Sequence, residues 1–204
     1  MMIEFLWMRH LFLLVLLEEK EGFRRRKNHG QNGIENPRMV IAGAITKKGW
    51  FHRSKIWNKP SISDADFDAY VKNILAPKLR PGQVVFWDQY GKFGGAKNPQ
   101  SRHFSPKARK AIEGRGAKLK ILPRYGKYFD PIEMVIGDTK KNYDKLLREK
   151  LRSTAPSKLT FEQKSKLWHD AEDALNSNSF IRAFKERANG KEFLRVSKER
   201  GFEK

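Results

Sequence analysis

The chain has 204 residues, enough for one domain with a real apolar core, or one domain and a helical extension. Lysine and arginine total 43 against 23 aspartate and glutamate, a formal charge of +20 that is far from the balance of most soluble enzymes and points to a polyanionic partner. Cysteine is absent, which excludes disulfides, thiolate metal sites and cysteine nucleophiles.

In chain order the first element is Leu11 to Leu17 (LFLLVLL), preceded by the apolar Ile3, Phe5, Leu6, Trp7 and Met8. Arg9 and His10 interrupt the stretch, and no small-residue cleavage site follows before Glu18 and Glu19. The pure run is well short of the roughly 18 to 20 residues a spanning helix needs. A buried strand is expected, with neither secretion nor a membrane partner. The basic, Gly- and Asn-rich stretch Arg24 to Asn36 reads as a loop. Arg38 to Thr46 and Trp50 to Trp57, joined at Lys47, Lys48 and Gly49, read as a strand pair with a short turn.

The character changes at Ser63, an N-cap with acids behind it, followed by Phe67, Tyr70, Val71, Ile74 and Leu75 at helical spacing and closed by Pro77 and Pro81. Val84 to Trp87 is a short apolar strand that halts at Asp88, and Gly91 to Arg102 is a Gly-rich basic insertion. A helix from Ser105 to Glu113, a strand at Lys118 to Leu122 and a Pro/Gly turn from Pro123 to Phe129 follow. Asp130 then opens a helix to about Leu151, and after a Ser/Pro linker two helical stretches remain, Thr160 to Leu175 and Ser179 to Glu186. The order predicts a mixed α/β fold in which three antiparallel strands precede parallel ones, flanked by helices. Residues 1–152 form the expected core and 153–204 a basic helical tail.

Phosphodiester cleavage by two metals needs hard oxygen ligands from several elements meeting at one point. Asp88 follows an apolar strand, so it falls at the carboxyl edge of the sheet, where ligands collect in open α/β sheets; a turn residue is the plainer reading. Glu133 is the third residue of a helix with Asp130 as N-cap and Pro131 at its first position, so capping alone accounts for it when it is taken in isolation. Asp64, Asp66 and Asp68 crowd a helix start and serve its dipole, while Asp138 reads as a surface residue. The histidines show no ligand spacing, and no phosphate-cradling glycine loop occurs.

Taken together, VVFWDQYG, the helix after it and LKILPRYGKYFDPIEMVIGDTKK resemble the end of the catalytic domain of mariner-type transposases and related bacterial insertion-sequence enzymes. These are DDE endonucleases with a ribonuclease H-like fold. In them a strand ending in Asp-Asn is followed by a further strand, a Pro-Pro-Tyr-Ser-Pro-Asp-Leu-Asn-Pro-Ile-Glu-like turn and a helix. The matching residues are Leu122, Pro123, Arg124 and Tyr125, then Asp130, Pro131, Ile132 and Glu133. Gln89 stands where the family has Asn, as does Asp130, and the interval from Asp88 to Glu133 is lengthened by an insertion at Gly94 to His103.

The resemblance implies that Asp88 and Glu133 are the second and third catalytic carboxylates. Glu18, at the end of the first strand where the family has Asp, is the best match for the first. It implies a two-metal site for Mg²⁺ or Mn²⁺ held by Glu18, Asp88 and Glu133. Lys92, Lys97, Arg102, Arg124 and Lys127 would meet DNA phosphates, and Tyr125, with Tyr90 and Tyr128, would stack on a base; solvated loop charges and packing tyrosines are the other reading. The implied partners are transposon ends and target DNA, with room for a homodimer and no small-molecule substrate. The implied location is wherever the host DNA lies, the nucleus or the bacterial nucleoid. The usual helix-turn-helix region is expected to be missing, since seventeen residues precede Glu18. A truncated or impaired copy is thus one reading, and a catalytically inactive, transposase-derived nucleic-acid-binding protein is the alternative. An RNA-binding factor would instead require Asp88 and Glu133 to lie far apart.

Overall fold

Strand β2 (Met39–Thr46) is buried at seven of its eight residues, as a strand covered on both faces must be. The computed structural model describes residues 10–19, 39–59, 62–87, 106–122, 130–152 and 159–187, the first of these stretches by its backbone. Around β2 stands a five-stranded sheet. Its members are β1 (His10–Glu19), β2, β3 (Gly49–Asn58), β4 (Val84–Trp87) and β5 (Lys118–Ile121), in the spatial order β3-β2-β1-β4-β5. The first three strands pair antiparallel, β4 pairs parallel with β1, and β5 parallel with β4. This is the mixed arrangement that the element order predicts.

The β2–β3 turn needs its glycine, since Gly49 has φ 141°. Gly43 is needed for space. A Cβ there would lie 2.9 Å from Trp50 Cζ3 and 3.1 Å from Ser54 Oγ. The β2–β3 register shifts on either side of Ala44, and a bare glycine in β2 lets the bulged strand close over it.

One sheet face carries Ala42, Ala44, Val85 and Trp87 and packs against helices α1 (Asp64–Tyr70) and α2 (Pro106–Glu113) through Phe67, Tyr70 and Ile112. Ser63 caps α1 in a reciprocal box with Asp66. The helix expected to continue evenly to Leu75 instead widens at Val71 into a π turn, and a tighter turn over Ala76–Lys78 carries Pro77. Proline has no N–H to continue an α ladder, and the altered turns keep Val71, Leu75 and Ala76 buried.

The opposite face carries Met39, Ile41 and Ile45, with Phe86 packed beside them. It is covered by α3 (Pro131–Leu151), α4 (Phe161–Asp173) and α5 (Ser177–Arg187). Ile132, Val135, Ile136 and Tyr143 of α3 meet Trp168 of α4 and Phe180 and Phe184 of α5 in one apolar cluster. The two C-terminal helices therefore share a core with the sheet. Among the described residues no helix is long and apolar enough to cross a membrane.

Candidate functional site

Backbone pairing carries β4 and β5 together to their carboxyl ends, where the Leu122 N–H donates to the Trp87 carbonyl at 2.7 Å. Residues alternate along β4. Val85 and Trp87 face α1 and α2, and Phe86 faces the α3 side. Asp88 is the next residue in sequence and lies outside the described residues, as do Tyr90, Lys92, Lys97, Arg102, Arg124, Tyr125, Lys127 and Tyr128.

Glu133 is held in the first turn of α3. The turn is fixed by Asp130, which is fully buried and whose Oδ1 accepts from the Ile132 N–H at 3.1 Å. Pro131 follows at the first helical position, and the Glu133 N–H donates to the Asp130 carbonyl at 3.2 Å. The capping that the sequence predicts from Asp130 and Pro131 is present. A carboxylate in this turn also gains from the positive end of the helix dipole. Because Ile132 is wholly buried beside it, the half-buried Glu133 starts from an anchored backbone.

Glu18 belongs to β1 by its backbone, opposite Val40 of β2. The parallel pairing of β1 with β4 sets Leu13 opposite Trp87, so Glu18 stands five residues beyond that level. Because β1 is irregular between Val15 and Leu17, that span matches only four steps of β2, from Ala44 to Val40, or roughly 13 Å. The β1 residue level with the last residue of β4 is aliphatic, Leu13.

Among the described residues no group of three or more His, Asp or Glu side chains is placed to hold a metal ion. Two of the other acids, Asp66 and Asp138, have structural partners. Asp66 accepts from Lys59 at 2.8 Å and from Ser63. These bonds, Lys59 first, hold its carboxyl down at about 2. Asp138, expected at the surface, is bonded by Lys141 at 3.1 Å and by Arg182, so it ties α3 to α5.

The sequence reading missed one buried polar cluster. Glu172 on α4 has a fully buried side chain. It accepts from the Ser54 N–H and Trp168 Nε1, both at 3.1 Å, and meets His169 Nδ1 at 2.8 Å. It therefore fastens α4 to the outer strand of the sheet, and Arg53 pairs with Asp173 beside it. Nearby, burial and then Lys78 push the His52 imidazole down, while burial and then Glu172 push the Tyr70 phenol up. A lone acid within a helical stretch gives no sign of such a contact. A basic face on α3 was also passed over, although Lys141, Lys145, Arg148 and Arg152 show it by their spacing.

No protein-family model matches the chain, and no curated protein matches it in sequence. Solved structures do. The chain is similar to the Mos1 strand transfer complex, at 13% identity and a TM-score of 0.52, over 88% of this chain and 51% of that one. It is similar to the Mos1 mariner paired end complex with Mn at 10% identity and 0.50, over 88% and 52%. The catalytic domain of Mos1 mariner transposase matches at 12% identity and 0.45, over 88% and 76%. The chain spans about half the length of the first two. At these identities the likeness is one of fold, and the ribonuclease H-like fold is the one the sequence led us to expect.

Proposed function

We propose that the chain is a DDE-type transposase or endonuclease core that cuts and joins DNA strands. The observation that carries this is local: a parallel strand ending one residue before Asp88, and a helix that fixes Glu133 in its first turn. Phe86, two residues before Asp88 in sequence, faces the side of α3. The carboxylates of Asp88 and Glu133 are hard donors of the kind that suit Mg²⁺ or Mn²⁺, and a transposase complex of similar fold is described with Mn. Glu18 is the proposed third donor. Ions held there supply Lewis-acid activation of the attacking oxygen and offset charge on the leaving one.

The chain's own contribution is to hold these acids and to position the polyanion. A net charge of +20 attracts a duplex. In this reading Lys92, Lys97, Arg102, Arg124 and Lys127 bind phosphates beside the acids, and Tyr125 offers a ring for a frayed base. DNA ends and a target duplex are the partners, a homodimer is the assembly that would bring two ends together, and the location follows the DNA. The reading is tested by nicking of supercoiled plasmid in Mg²⁺ or Mn²⁺. Asp88→Asn and Glu133→Gln should abolish nicking while DNA binding persists; nicking by either variant at the wild-type rate refutes the assignment.

One observation favours a second reading, a nucleic-acid-binding protein of the same descent with no working site. The β1 residue level with the end of β4 is Leu13, and Glu18 stands roughly 13 Å further along. A displacement of even about 1 Å can cost on the order of 10² in rate where positioning governs. This reading expects salt-sensitive binding without nicking.

A further inference from the structure

Helix α3 buries Ile132, Val135, Ile136, Thr139 and Tyr143. At 100° per residue the opposite side of the helix carries Lys141, Lys145, Arg148 and Arg152, spaced i, i+4, i+7 and i+11. All four are exposed, and with Glu149 they line a shallow hollow on the outer surface of the helix. Lys141 is paired with Asp138. Lys145, Arg148 and Arg152 have no ion-pair partner among the described residues. The helix dipole accounts for cations in its last turn, where Arg148 and Lys150 lie, but its effect fades within a turn and leaves Lys145 unexplained. Like charges at i and i+4 weaken a helix, and this face has two such pairs, Lys141 with Lys145 and Arg148 with Arg152, which the single acid Glu149 among them offsets only in part. An external polyanion would reverse the sign of that term.

We propose that this outer face of α3 is a docking surface for the sugar-phosphate backbone of duplex DNA. From Lys141 to Arg152 the row is about 16 Å long at the helical rise, which matches about five base-pair steps of duplex. Its near end lies about 12 Å along the same helix from Glu133. A duplex engaged at the acids is thereby continued along α3, and the row anchors the flank beyond the reacting phosphate. Contacts of this kind carry charge and register without reading sequence. The inference rests on the proposed function for its choice of DNA as partner.

The test measures duplex binding by fluorescence anisotropy across a salt series, for the wild type and two variants of equal net charge. One is Lys145→Gln/Arg148→Gln/Arg152→Gln. The control is Lys47→Gln/Lys48→Gln/Lys55→Gln, which removes three exposed cations of the β2–β3 hairpin, two in its turn and one in β3. Thermal melts establish that both variants are folded. Each lost phosphate contact flattens the log-log salt slope by about 0.9, so the α3 variant should flatten it by about 2.7 for every duplex sequence. The control should shift it by less than one contact. Equal shifts in the two variants, or an unchanged slope in the α3 variant, overturn the docking surface while leaving the DNA reading in place. A wild type that shows no salt-dependent duplex binding overturns both.

Discussion

Glu172 shows how much of this molecule rests on single buried groups. Two buried donors, the Ser54 N–H and Trp168 Nε1, converge with the half-exposed His169 ring at Nδ1 on one carboxylate that has no contact with solvent. Removing the acceptor leaves buried donors unsatisfied, each costing about 1–3 kcal/mol. Glu172→Ala should therefore lower stability by on the order of 3 kcal/mol in urea melts, and a loss below about 0.5 kcal/mol would show that the cluster is solvated. Gly43 makes the opposite kind of demand. Its added methyl would meet the ring of Trp50 at 2.9 Å, so Gly43→Ala should cost about 1–3 kcal/mol through overpacking. Neither group is legible from its neighbours in sequence. The glycine sits in an otherwise ordinary strand and takes its meaning from the neighbouring strand packed over it, and the glutamate in an ordinary helix takes its meaning from a contact far along the chain.

At the scale of elements, α1 and α3 show why the helices were readable. Ser63 and Asp130 are short polar acceptors placed before apolar residues at helical spacing, and both cap as that pattern predicts. Asp66 makes the α1 cap sensitive to acid. Its carboxyl is held at about 2 against an ordinary 3.8, chiefly by Lys59 and then by Ser63. A depressed carboxylate contributes stability that is complete above about pH 4 and is lost as pH falls through about 2. The stability gap between wild type and Asp66→Asn should thus be constant from neutrality to about pH 4 and close below it. Ser63→Ala should cost about 1 kcal/mol at neutral pH.

The C-terminal helices were legible as helices, while their place was not. Trp168 with Ala171 in α4, and Phe180 with Phe184 in α5, stand at helical spacing, which marks an apolar face on each helix but not the surface it covers. Trp168 is fully buried against Tyr143 of α3, with ring centroids 5.6 Å apart. Trp168→Ala should cost about 3–5 kcal/mol, a loss that a detached tail could not produce. Strand register escaped the sequence for a similar reason. The apolar run of β1 is as compatible with one alignment against β4 as with its neighbours, so the level of Glu18 relative to the end of β4 is fixed only by pairing.

For the whole molecule, two quantities bear on function: a net charge of +20 and a fold shared with Mos1 transposase structures at 10–13% identity. The charge was plain from composition. The fold was carried by strand order and by the motif from Leu122 to Glu133. What composition does not fix is whether acids from separate elements act on one ion pair. Isothermal titration of the full chain with Mn²⁺ addresses that directly. The proposed site predicts saturable binding that is lost in Asp88→Asn and in Glu133→Gln, with the fold retained by circular dichroism. Binding that is unchanged in both variants, or absent from the wild type, would contradict it.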